Sequence, residues 1–158
     1  MNRVFMAAGL IMALVGLGAC DKKTDPQPTR TELLTSKNWR LTAYSHTVNG
    51  GSSRYDDYAS IQSCLKDDSY RFVADKSLIY YTGTNNCRAG EPQEYSGDWR
   101  FTTADESKLL FGLTNDVAYE YTIAELTDTR MVLTYDSQYN LPNGTTVNEA
   151  YRMTYSGQ

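Results

Sequence analysis

The sequence carries one histidine, His46, and three cysteines in 158 residues. No two cysteines stand at Cys-x-x-Cys spacing. Zinc ribbons, thioredoxin-type pairs and His-rich metal centres therefore have no motif to rest on, and no metal or other cofactor is expected. Cationic charge is also short: 15 Lys and Arg stand against 19 Asp and Glu, for a formal net charge of -4. Nucleic-acid binding needs a basic excess, so no nucleic-acid partner is expected. Collagen-like and coiled-coil biases are missing, and helical periodicity is not sustained after Leu34. Tyrosine is plentiful, with 13 residues in a chain that is 12% aromatic and 41% hydrophobic. That composition is enough to build the core of one domain and argues against disorder.

The N-terminus reads as an address. Met1, Asn2 and Arg3 make a short basic start, residues 4–15 are almost wholly apolar, and residues 16–19 are small and flexible. This is the order of an export signal. A transmembrane anchor needs about 20 apolar residues, and this run stops at Ala19 before Asp21, Lys22 and Lys23. Leu17-Gly18-Ala19-Cys20 resembles a bacterial lipobox, whose cysteine is acylated and becomes the mature N-terminus. Ordinary signal-peptidase cleavage after Gly18 is the alternative. The lipobox reading makes residues 1–19 a lipoprotein signal peptide and Cys20 the lipidation site. Residues 20–30, polar and with two prolines, become a tether. Two acyl chains anchor a protein stably. The expected address is the cell envelope, lipid-anchored on the outer membrane and facing the periplasm or the surface.

With Cys20 acylated, Cys64 and Cys87 remain. An export signal places them in an oxidising compartment, where such a pair forms a disulfide. A redox or metal pair is the alternative, without the spacing that would support it.

The body alternates apolar and polar residues with period two, broken by turn residues. Trp39, Leu41 and Ala43 share a face, as do Tyr70, Phe72 and Ala74. Residues 77–82 are apolar on both sides. Tyr95, Gly97, Trp99 and Phe101 form the next face, followed by Leu109, Phe111 and Leu113. Val117, Tyr119, Tyr121 and Ile123, then Met131, Leu133 and Tyr135, then Val147, Tyr151, Met153 and Tyr155 complete the series. One helical turn is expected near residues 31–34, capped by Thr29 or Thr31. The fold class is all-β: an eight-stranded antiparallel up-and-down barrel over residues 31–158, with a short N-terminal helical turn. A two-sheet sandwich is the alternative.

Several residues in order resemble the lipocalin-like domain of bacterial lipoproteins. They are Leu33-Leu34 leading to Trp39, the Cys64–Phe72 stretch, Asp75-Lys76, Cys87, Gly97-Asp98-Trp99, and residues 121–128. The resemblance implies an eight-stranded calyx and a Cys64–Cys87 bridge. The family's first strand usually opens Gly-x-Trp, and here Lys37 takes the place of that glycine.

Parity places Tyr95, Trp99, Phe111, Tyr119, Tyr121, Tyr135, Tyr151 and Tyr155 inside, as candidate ligand-binding residues, with Phe101 and Met153 beside them. Such a lining suits a small apolar or amphipathic ligand, or a sugar stacked on rings. The competing reading is a barrel filled by its own side chains. Glu149 falls on the inward parity near a rim. Asp56-Asp57 and Asp67-Asp68 read as solvated turns rather than calcium loops. His46 has no Ser or Cys elbow beside it, and no catalytic residue or enzymatic activity is expected. The leading function is a ligand-binding, lipid-anchored lipoprotein. The alternative is a protein-interaction module, an enzyme inhibitor or accessory subunit of an envelope complex. It would act through loops at 47–58, 83–92 and 137–146, with Tyr55, Tyr58 and Tyr139 at their tips.

Overall fold

The alternating segments become strands that pair in chain order and close on themselves. A computed structural model of the protein describes residues 26–158. The expected signal peptide, Cys20 and the first part of the tether lie outside the described residues. Among the described residues one α-helix, α1 (Arg30–Thr35), precedes β1 (Asn38–Val48), β2 (Arg54–Asp56), β3 (Ser69–Phe72), β4 (Ser77–Tyr81) and β5 (Glu94–Phe101). Then come β6 (Lys108–Leu113), β7 (Tyr119–Leu126), β8 (Arg130–Asn140) and β9 (Thr146–Gly157). Every pairing is antiparallel, the order runs β1-β3-β4-β5-β6-β7-β8-β9, and β9 returns to β1. Eight strands thus close an up-and-down barrel, as the alternation predicts. Closure leaves no long unpaired edge in the barrel wall.

The structure differs from the sequence reading in several places. β2 lies within 47–58, which was expected to be loop, and pairs with Ser45–Thr47 of β1. Half of the 137–146 stretch is strand, because β8 and β9 stay in register out to Asn140↔Thr146 and only residues 141–145 turn. β3 stops at Phe72, since the Lys76 amide donates to Val73 O at 3.0 Å and turns the chain before Ala74 can join the face.

A bulge in β1 has the largest effect. Leu41 faces Tyr155 and Ala43 faces Thr154, so Thr42 is an extra residue. One extra residue exchanges the two faces of a strand. Ala43 is therefore exposed, and Tyr44 and His46 follow Trp39 and Leu41 inward, opposite Met153 and Tyr151.

One end of the barrel is solid. Leu34, Trp39, Phe72, Leu78, Leu109, Met131 and Leu133 are fully buried there, and Trp99 is 1% exposed. A fully buried aliphatic side chain contributes about 1.5–3 kcal/mol. Both indoles satisfy their polar atom: Trp39 Nε1 donates to Leu34 O and Trp99 Nε1 to Val73 O, each at 2.8 Å. Lys37 in place of the family's glycine thus leaves the tryptophan plug intact. α1 seals this base. It starts with a capping box, in which the Glu32 amide donates to Thr29 Oγ1 and the Thr29 amide to the Glu32 carboxylate. Arg30 Nη1 donates to Glu106 O at 3.1 Å, tying the helix to the β5–β6 turn.

At Gly97, β5 and β6 leave no room for a side chain. A Cβ there would sit 2.1 Å from the Gly112 carbonyl oxygen, a backbone atom that cannot move aside.

Candidate functional site

Above the base, aliphatic residues give way to tyrosines and the interior is no longer filled. A cavity of about 340 Å³ opens there. Its walls are Leu41 and Tyr44 from β1, Tyr70 from β3, Tyr80 from β4, Phe111 from β6, Tyr121 from β7, Tyr135 from β8, and Met153 and Tyr155 from β9. β5 adds no wall residue, because Gly97 has no side chain to offer at this height. Ile61, Leu65 and Asp68 come from the segment between β2 and β3.

The rings form a connected lining. Tyr70 lies 5.0 Å from Tyr80 and 5.5 Å from Phe111, and Phe111 lies 4.9 Å from Tyr121. Tyr135 stacks on Tyr151 at 4.6 Å with planes 3° apart, and its hydroxyl meets that of Tyr44 at 2.8 Å. Burial raises the pKa of these phenols, reinforced by neighbouring negative charge. Tyr70 is pushed up to about 12 by burial and by Asp68 and Asp116. Tyr80 is raised by burial and by its hydrogen bond to Asp68, Tyr121 by burial, and Tyr135 by burial and by its bond to Tyr44. Tyr155 is raised well above its ordinary value by burial. At neutral pH all of these hydroxyls keep their protons. Tyr80 gives its proton to Asp68 and Tyr155 to Met153 Sδ, so among the described residues Tyr70 and Tyr121 are the hydroxyls free to donate a hydrogen bond to a ligand.

A disulfide pins the segment that leans over the cavity. Two short turns, Tyr58–Ser60 and Ser63–Leu65, bring Ile61 and Leu65 to the cavity. Cys64 is bonded to Cys87 in the β4–β5 loop, 23 residues away. Asp67 and Asp68 add a polar seam between the same two segments. Asp67 Oδ2 accepts from the Thr84 amide at 2.8 Å and the Asn85 amide at 3.2 Å, while Oδ1 is buried without a partner. Burial pushes the Asp67 carboxyl up, and the hydrogen bonds from Asn85 and Thr84 outweigh it, so the net shift is downward. Asp68 Oδ1 accepts from the Gly83 amide at 2.8 Å, and Oδ2 accepts from the Tyr80 hydroxyl. The pair expected to be a solvated turn is thus partly interior: Asp68 is 7% exposed.

Beyond the barrel wall the sheet continues on one side only. β1 pairs with β3 over Asn38–Arg40 but with β9 as far as Val48, and β8 leaves β7 at Thr134 but follows β9 to Asn140. The overhang β2-β1-β9-β8 carries a second aromatic group at the mouth. His46 stacks on Tyr55 at 4.7 Å and lies 5.2 Å from Tyr151. Its Nδ1 is 2.8 Å from Asp57 Oδ2. Tyr151 donates to Glu149 at 2.5 Å, which raises the Tyr151 phenol, with burial adding to the shift. Tyr139 donates to the other Glu149 oxygen at 3.3 Å. Neither Ser nor Cys is hydrogen-bonded to His46 among the described residues, and the ring serves as part of the aromatic rim.

Of the sequence candidates, Phe111, Tyr121, Tyr135 and Tyr155 line the cavity. Tyr151 stacks just outside it on Tyr135, and the half-buried Tyr95 lies beside Tyr80 at 6.2 Å. Trp99 belongs to the solid base. Tyr119 is 58% exposed and, with Val117, borders a neighbouring recess that shares Tyr70, Phe111 and Tyr121 with the cavity. The sequence reading missed Leu41, Tyr44, Tyr70, Tyr80, Ile61, Leu65 and Asp68. Tyr70 carried a signal, since it shares the parity of Phe72. Tyr44 is hidden by the bulge, and the residues between β2 and β3 have no periodicity to read.

The calyx geometry and the closed meander agree with an independent comparison. The family model described as a lipocalin-like domain matches residues 35–133. The chain belongs to the lipocalin-like domain family. The match runs from the end of α1 into β8, so it covers the walls that carry Tyr44, Tyr70, Tyr80, Phe111 and Tyr121. β9, which closes this lipocalin-like barrel and supplies Met153 and Tyr155, follows the matched stretch. No curated protein matches the chain. The disulfide expected between Cys64 and Cys87 is present in the lipocalin-like structure.

Proposed function

We propose that the protein is a lipid-anchored lipoprotein of the cell envelope whose calyx binds a small apolar or amphipathic ligand. One observation carries the binding reading: the cavity of about 340 Å³ between the tyrosines. An eight-stranded barrel is just wide enough for its own side chains to fill. This one is filled at its base and unfilled above it, at a volume within the range of small-molecule pockets. The lining is mainly apolar and aromatic with a few polar groups, the composition such pockets use to hold and orient a ligand. The lipocalin-like fold is typically a binding fold rather than an enzymatic one.

The anchor reading is supported by Leu17-Gly18-Ala19-Cys20 placed directly after an apolar run. Cys20→Ala is expected to abolish incorporation of labelled fatty acid. Labelling that persists in this variant would overturn the anchor.

Native mass spectrometry of the purified protein after exposure to an envelope extract tests the calyx. The expected result is a discrete added mass that leaves on denaturation. A bare mass, with no thermal shift from the same extract, would overturn the binding reading. Exposed side chains on the overhang favour a second reading, a protein partner at the mouth. Tyr55 is 53%, Tyr139 45% and Leu141 39% exposed. Cross-linking in intact cells from Tyr139, with a photoreactive residue in its place, separates the two.

A further inference from the structure

The cavity wall is electrically one-sided. Among the described residues that line it, Asp68 is the one carboxylate, and no Lys, Arg or His lines it with Asp68. Asp68 is buried, and its two hydrogen-bond donors, the Gly83 amide and the Tyr80 hydroxyl, are both neutral. None of the ion pairs among the described residues includes it. Lys66, two residues earlier, places its ammonium 4.7 Å above the Tyr58 ring. A buried anion is costly without an opposite charge, and each carboxylate oxygen can accept more than one hydrogen bond. The surrounding tyrosine rings present π faces that attract cations and repel anions.

We propose that the ligand of the calyx is a cationic amphiphile, a protonated amine on a short apolar or aromatic body, with its ammonium at Asp68. This assignment rests on the calyx-binding reading and names its ligand class. The amine supplies the positive charge that the protein does not. The body lies against Phe111, Tyr121, Met153 and Tyr155, where the wall is apolar or aromatic. At about 30 Å³ per water-sized group, 340 Å³ holds about 11 such groups. A ligand of about ten non-hydrogen atoms therefore fits. A neutral head group on the same body keeps the burial and loses the ion pair. An anionic head group meets Asp68 as a like charge.

Three probes that differ in the head group decide the matter: n-octylamine, 1-octanol and octanoate, titrated into the purified protein at pH 7 by calorimetry. Octylamine is expected to bind at least about ten-fold more tightly than octanol, the scale of a hydrogen bond to a charged group. Octanoate is expected to bind more weakly than octanol. Asp68→Asn should bring octylamine to the affinity of octanol and leave octanol unchanged. If that variant fails to fold, the head-group order on the wild-type protein decides alone. Equal binding of all three, or a preference for octanoate, overturns the cationic assignment and leaves the calyx reading standing. Binding by none of the three overturns both.

Discussion

Replacing Cys64 and Cys87 together by serine removes the Cys64–Cys87 cross-link and little else. The bonded cysteines are 23 residues apart in sequence. In the chain-entropy account, closing a loop of that length removes about 11.5 cal/mol/K from the unfolded ensemble, or about 3.4 kcal/mol at 25 °C. Unfolding entropy is about 2.1 cal/mol/K per residue, which over the roughly 130 described residues gives about 0.28 kcal/mol/K. The double variant should therefore melt about 12 °C below the oxidised protein. The folded segment should stay in place, because Asp67 still accepts from Thr84 and Asn85 and Asp68 from Gly83. Calorimetry gives the melting shift. Guanidinium titration followed by Trp39 and Trp99 fluorescence gives the free energy, and its slope should steepen because the uncross-linked chain exposes more surface. A loss below about 1 kcal/mol would refute the unfolded-state account. Lost probe binding at an unchanged melting temperature would instead show that the disulfide, and not the aspartate seam, holds the cavity wall.

Gly97→Ala places a methyl against the Gly112 backbone oxygen and should cost about 3 kcal/mol, read as a shift in denaturation midpoint. A cost near zero would mean that β5 and β6 do not approach as closely as described. Alkali provides a further test. The Tyr70 phenol titrates near 10.0 when unfolded and about 12 when folded. Its contribution is fully present below pH 10 and is lost as pH rises from 10 to 12, at about 1.4 kcal/mol per pH unit. Tyr80, Tyr121, Tyr135 and Tyr155 are shifted the same way and steepen the loss. Absorbance titration near 295 nm checks this, and free titration of all the phenols near pH 10 in the folded state would contradict their burial.

Face and depth are written differently in the sequence. Alternation states which side of a strand is inward, and it was readable for Phe111, Tyr121, Tyr135 and Tyr155. It carries no information about height along the barrel axis. Trp99 and Tyr119 have inward parity, yet one sits in the base and the other at the rim, because height is set by strand register and turn placement. The bulge at Thr42 has no glycine to announce it, so the inward turn of Tyr44 was not legible. β4 is apolar on both sides, which left Tyr80 ambiguous. β2 is three exposed residues without an apolar face. Asp68 follows another aspartate in a polar stretch, and only the β4–β5 loop folding onto it makes it interior.

The two ends of the described chain meet at the solid base. The Asn38 and Gln158 backbones hydrogen-bond to each other, and Gln27 and Pro28 lie with the Leu126–Asp128 turn. The cup is held by its foot. A stem joined upstream of residue 26, or a tag fused after residue 158, therefore enters the barrel at its foot, at the end opposite the mouth. A short linker between the two ends, with new ends cut in the 141–145 turn, would reverse that orientation. The circularly permuted protein would present its mouth toward its support while the barrel wall stayed as it is.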